Sequence, residues 1–111
     1  MPFTPFAIES VRDADTARLK LSGELDLASV SRVEQAVDAT LAQGARKLVL
    51  DLGDVSFVDS SGLRLFVVLN QRAISEGWKL SLTRAQEQAM KVFVVSGLEE
   101  NLPFAHRENV A

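Results

Sequence analysis

The chain contains no cysteine, which excludes disulfides, thiolate metal sites and thiol catalysis. That absence also fits a reducing compartment. Its single histidine, His106, lies in the last six residues, where a side chain is expected to be solvated rather than held inside a pocket. A Ser-His-Asp triad has no oriented imidazole to work with there. No G-x-S-x-G elbow, Walker-type loop or G-x-G-x-x-G fingerprint occurs. Basic residues are scattered, with no run longer than Arg46-Lys47, and the net charge is −3. Phosphate backbones need clustered Lys and Arg, so nucleic acid is not an expected partner. The longest apolar run, Leu65 to Leu69, is far too short to span a bilayer. The opening Met1-Pro2-Phe3-Thr4-Pro5-Phe6 has neither the basic flank nor the apolar length of a secretion signal. The expectation is a soluble cytoplasmic protein with no direct membrane insertion and no cofactor.

What is present suits one domain over residues 1–111, with 1–5 a loose lead-in and 105–111 a short tail. Phe6 to Arg12 and Ala17 to Ser22 read as strands joined by a turn at Asp13-Ala14-Asp15. In the second, Ala17, Leu19 and Leu21 alternate strictly with Arg18, Lys20 and Ser22, the pattern of a strand with one buried face. Gly23-Glu24-Leu25-Asp26 breaks the alternation. From there Val30, Val33, Val37 and Leu41 follow helical spacing, with Ser29 a candidate N-cap and Gly44 a natural stop.

Leu48 to Leu52 is a short apolar run suited to a central strand, followed by a loop from Gly53 to Val58. Leu63 to Glu76, closed by Gly77, is the next helix, with Leu63, Phe66, Val67, Asn70 and Ile74 along one stripe. Trp78, Leu80 and Leu82 mark a strand. Gln86 to Ser96 is a third helix with Ala89, Met90, Phe93 and Val94 inward and Gly97 as its cap. Leu102-Pro103-Phe104 is at most a short edge strand, since Pro103 lacks an N–H. The order β-β-α-β-α-β-α-(β) predicts an α/β fold with a mixed sheet of four to five strands, three or more helices and an N-terminal β-hairpin.

Two clusters near the end of the central strand carry chemistry. Asp51, Asp54 and Asp59 supply the oxygen ligands that magnesium takes, although loop solvation and helix capping account for aspartates at such places more simply. Asp59-Ser60-Ser61-Gly62 falls where a strand-loop segment meets a helix start. There the unpaired N–H groups and the positive end of the macrodipole would hold a phosphate attached to serine. Such a phosphate adds roughly −1.5 to −2 charges and would repel a docked partner. The same tetrapeptide is also good N-capping sequence. The excess of apolar residues on the following helix fits either a wide buried face or a binding patch beside Ser60.

Three blocks together resemble the STAS domain family, and within it the bacterial anti-sigma-factor antagonists. They are Leu21-Ser22-Gly23-Glu24-Leu25-Asp26, the stretch from Leu48 through Asp59-Ser60-Ser61-Gly62-Leu63, and Val92 to Leu98 ending in Ser96-Gly97-Leu98. The resemblance covers roughly Ala17 to Phe104. It implies a STAS fold, a phosphoacceptor at Ser60, and a partner-facing set of Gly23, Glu24, Leu25, Asp26, Asp59, Ser61, Gly62, Leu63 and Phe66. The implied partners are an anti-sigma factor that is also a serine kinase, and a PP2C-type serine phosphatase. The chain itself would be a substrate and binding surface, with no catalytic residue, no metal and no enzymatic activity of its own. The short tail from Ala105 departs from antagonists that continue into a fourth helix, and resembles STAS subunits of lipid-type ABC transporters. A constitutive subunit or scaffold of that kind is the alternative expectation.

Overall fold

The structure, a computed structural model, describes residues 5–105. His106, residues 1–4 of the expected lead-in and residues 106–111 of the expected tail lie outside the described residues.

The opening hairpin pairs β1 (Ala7–Asp13) with β2 (Thr16–Leu25) in antiparallel register, Ile8 opposite Leu21 and Arg12 opposite Ala17. Its tight turn places Ala14 at φ 56°. Then follow α1 (Leu27–Ala42), β3 (Lys47–Val58), α2 (Ser60–Glu76), β4 (Lys79–Leu82) and α3 (Glu87–Val95). The sheet order is β1-β2-β3-β4, with β3 parallel to both neighbours. The expected α/β class and mixed sheet are therefore observed, with four strands. Leu102-Pro103-Phe104 is not a fifth strand: it makes one parallel bridge, Phe104 beside Leu82, on the free edge of β4.

Alternation in β2 works as its sequence requires. Ala17, Leu19, Leu21 and Leu25 are buried, while Arg18, Lys20 and Glu24 are exposed. The buried faces of β2, β3 and β4 meet Val33 and Val37 of α1, Leu65, Phe66 and Leu69 of α2, and Phe93 of α3. Phe93 joins the layers, its ring 5.7 Å from that of Phe66 and 5.0 Å from that of Phe104. Each such side chain, fully buried, contributes on the order of 1.5–3 kcal/mol.

Several expectations need correction. Gly23-Glu24-Leu25 does not break the alternation but continues it to the end of β2, and Gly53 to Val58 is not a loop but the second half of β3. The cause is two register irregularities. Lys20 and Ser22 of β2 face Asp51 and Asp54, and Gly23 and Glu24 face Val55 and Phe57. Each adds one residue to β3, so its buried positions run Leu48, Leu50, Leu52, Val55, Val58. A period of two that lengthens to three reads as a loop.

The α2 stripe is also rotated from the expected one. Leu65, Phe66, Leu69 and Ala73 are buried, whereas Ile74 is 77% exposed. Helix α2 begins three residues before Leu63, at Ser60. In α3, Val94 is exposed rather than inward, since Ala89, Met90 and Phe93 already cover the contact face. The stops are where glycine was expected. Gly44 and Gly97 follow α1 and α3 with positive φ, and the Leu98 N–H closes onto the Phe93 carbonyl at 2.9 Å.

Candidate functional site

Strands β2 and β3 end together, and each hands over directly to a helix through an aspartate. Asp26 is the N-cap of α1 and Asp59 the N-cap of α2. The junctions are tied to one another, because the Asp59 N–H donates to the Leu25 carbonyl at 3.2 Å.

At the first junction the cap is closed. An Asp26 carboxylate oxygen accepts from the Ala28 N–H at 3.0 Å, and the Asp26 N–H donates to Ser29 Oγ at 3.0 Å. This is a capping box. Ser29 is therefore not the N-cap but its third-position partner. Its hydroxyl also reaches the Glu24 carbonyl at 3.0 Å and is buried.

At the second junction the cap is open. Asp59 Oδ1 accepts from the Gly62 N–H at 3.0 Å, and the Leu63 N–H reaches the Asp59 carbonyl. Among the described residues, the N–H groups of Ser60 and Ser61 and both serine hydroxyls have no hydrogen-bond partner. Ser60 is exposed and Ser61 half-buried. Two unpaired N–H groups at the positive end of a seventeen-residue helix favour an anionic group at that end.

Gly62 fixes this geometry. A Cβ there would lie 2.8 Å from Val58 Cγ1 and 3.0 Å from the Leu25 carbonyl oxygen. Only glycine lets the first turn of α2 sit this close to the paired strand ends. Gly23 has a parallel role one strand earlier: it takes φ 94°, and a Cβ would lie 3.1 Å from the backbone of Pro5 and Phe6.

The residues expected to face a partner separate into two groups. Glu24 and Ser60 are exposed, and Asp26, Asp59, Ser61 and Leu63 are half-buried. Gly23, Leu25 and Gly62 are buried and act through backbone and close packing. Phe66 is fully buried against Phe93, which corrects its placement in the partner-facing set: its side chain belongs to the core.

Two exposed apolar residues lie outside the expected partner-facing set. Leu27, the first residue of α1, is 77% exposed, and Phe57, near the end of β3, is 47% exposed. Leu27 stands about 200° round the helix from Ser29, off the buried stripe, a signal that spacing alone carries. Phe57 was hidden by the second β3 irregularity.

The three aspartates offered for magnesium do not converge. Asp51 accepts from Arg18 Nη2 at 2.9 Å, the Gly53 N–H at 3.0 Å and the Thr83 hydroxyl at 3.1 Å. Burial pushes its carboxyl up, but the Gly53 N–H, Arg18 and Thr83 outweigh this and hold it below the usual carboxylate range. Asp54 pairs with Lys20 at 3.2 Å, and Asp59 caps α2. Among the described residues no group of three or more His, Asp or Glu side chains is placed to share a metal. Nor is any described helix long and apolar enough to cross a membrane.

Comparison with known proteins agrees with this architecture. The family model described as "Mlab, STAS domain" matches residues 8–104. The chain is 28% identical over 93 residues to the anti-sigma-B factor antagonist of Staphylococcus epidermidis, covering 84% of this chain and 86% of that one. Among solved structures, an anti-sigma factor antagonist from Mycobacterium paratuberculosis superposes with a TM-score of 0.76 at 21% identity, over 95% of this chain and 90% of its own. The phosphorylated form of the Bacillus cell fate determinant SpoIIAA superposes with a TM-score of 0.66 at 24% identity, over 96% of each chain.

Proposed function

Since this chain belongs to the STAS domain family, we propose that it is an anti-sigma-factor antagonist switched by phosphorylation of Ser60. In the unphosphorylated state it binds an anti-sigma factor that is also a serine kinase, and the sigma factor is released. The kinase then transfers the γ-phosphoryl group of ATP to Ser60 Oγ. The P–O bond to ADP breaks, a new P–O bond forms, and the hydroxyl proton is lost to the kinase or solvent. A PP2C-type phosphatase hydrolyses the ester and resets the chain. ATP and metal belong to these partners.

The observation that carries this reading is the Ser60 hydroxyl: exposed, without a hydrogen-bond partner among the described residues, and on the first residue of α2. A phosphate there sits on the unpaired Ser60 and Ser61 N–H groups, so the fold tolerates it. The surface around it does not stay the same. Glu24, Asp26 and Asp59 already make this end acidic, and exposed Leu27 and Phe57 supply apolar contact. Roughly two further negative charges oppose a partner selected for that surface by repulsion and desolvation. The antagonist named in Staphylococcus epidermidis and the phosphorylated SpoIIAA fold support the same reading.

Incubation with the cognate kinase and ATP tests it. The expected result is a single phosphate on Ser60, lost in Ser60→Ala, with Ser60→Asp folded but weakened in kinase binding. Persistent labelling of Ser60→Ala would move the acceptor elsewhere. Stable co-purification with a transporter ATPase, indifferent to Ser60 substitution, would favour the constitutive-subunit reading instead.

A further inference from the structure

We propose that Arg64 is a positioning residue for the phosphate on Ser60, supplying its counter-charge from within the same helix. The inference rests on the reading of Ser60 as phosphoacceptor and adds how the modified state is held. Ser60 and Arg64 are four residues apart in α2, both exposed, and so lie on one face with Cβ atoms about 5–6 Å apart. Arg64 takes part in no ion pair or side-chain hydrogen bond among the described residues. By contrast Arg12, Arg18, Arg32, Arg72 and Arg84 are each engaged. Arg46 also lacks a side-chain partner, but it precedes β3 at the opposite end of the sheet.

The need for a cation is local. Asp59 on α2 and Glu24 and Asp26 at the β2–α1 junction put three carboxylates at this end of the sheet. A phosphate added among them is repelled, and the two free N–H groups offset only part of that. A guanidinium one turn along reaches back to the phosphate oxygens and forms charge-assisted hydrogen bonds, stronger than neutral ones. Before phosphorylation the same guanidinium is solvated and open to a partner. Afterwards it is occupied, so the modification removes a positive contact from the docking surface as well as adding negative charge.

Full-length protein made with phosphoserine at position 60, without any kinase, tests this by phosphorus NMR across pH. The second ionisation of a phosphoserine lies ordinarily near about 6. In the parent chain it is expected below its value in Arg64→Gln by about half a unit, an approximately threefold change in proton affinity. Arg64→Lys should recover part of the shift. The three carboxylates are common to all variants, so the difference isolates Arg64. Superimposable titrations of parent and Arg64→Gln would overturn the proposal. Because the phosphate is installed synthetically, that failure is distinct from failure of the cognate kinase to label Ser60.

Discussion

Where β2 passes into α1, an aspartate caps the helix and a serine three residues on is consumed by the structure: Ser29 is buried, accepts from the Asp26 N–H and reaches the Glu24 carbonyl. Where β3 passes into α2, an aspartate again caps the helix, but the serine comes immediately after it and is left over. Asp59 accepts from the Gly62 N–H, and Ser60 is exposed with no hydrogen-bond partner among the described residues. The two junctions lie side by side and share the hydrogen bond from Asp59 to Leu25. The difference is one of register. At the third helical position a hydroxyl can close a capping box; at the first it points away from the turn. One junction uses its serine to close the cap, and the other leaves its serine exposed.

The strongest way to break the contrast is to fill the space that Gly62 leaves. Gly62→Val puts carbon against Val58 and the Leu25 carbonyl, where backbone must move. A loss of about 2–3 kcal/mol is expected, as for overpacking of a tight core, read as a lower midpoint in urea. Both junctions should suffer, because Leu25 serves both. A neutral effect would mean that α2 shifts freely on the sheet.

Ser29→Ala comes next. It leaves the Asp26 N–H and the Glu24 carbonyl without their hydroxyl partner at a buried site. The expected loss is about 1–2 kcal/mol, in the range for stranding buried polar groups. Asp59→Ala removes one cap hydrogen bond at a half-buried position, and about 1 kcal/mol is expected. If Asp59→Ala proved the more damaging of the two, the second junction would be the structural one and the contrast would be reversed.

The alternation of β2 from Ala17 to Ser22 and the glycine stops of α1 and α3 were legible in the sequence, because burial in that stretch has a period of two and glycine takes the positive φ that ends a helix. The far half of β3 was not: its two added residues arise from pairing with β2, which no local pattern records. For the site, the position of Ser60 at a helix start was readable from Asp59-Ser60-Ser61-Gly62. Which neighbours face outward was not. Phe66 and Leu63 fit one helical stripe by spacing, yet the helix is turned so that Phe66 meets Phe93 while Leu63 is only half-covered. Rotation of a helix on its sheet is settled by tertiary packing, and an α2 apolar round most of its circumference leaves that choice open.

The smallest stability effect is expected at the residue proposed to carry the switch. Ser60→Ala removes a hydroxyl that is exposed and bonded to nothing among the described residues, so its change in unfolding free energy should stay within about 0.5 kcal/mol. The same variant should accept no phosphate from the cognate kinase and should remain bound to it in the presence of ATP, where the parent chain is expected to dissociate. Ser29→Ala should do the opposite: lower stability while retaining phosphorylation at Ser60. Measured together by urea midpoint and intact mass, the two substitutions separate the serine that holds the fold from the serine that reports on it. Ser60→Ala with a stability loss as large as that of Ser29→Ala would show that the outward hydroxyl is structural after all. The free hydroxyl at the head of α2 would then no longer distinguish a switch from a second cap.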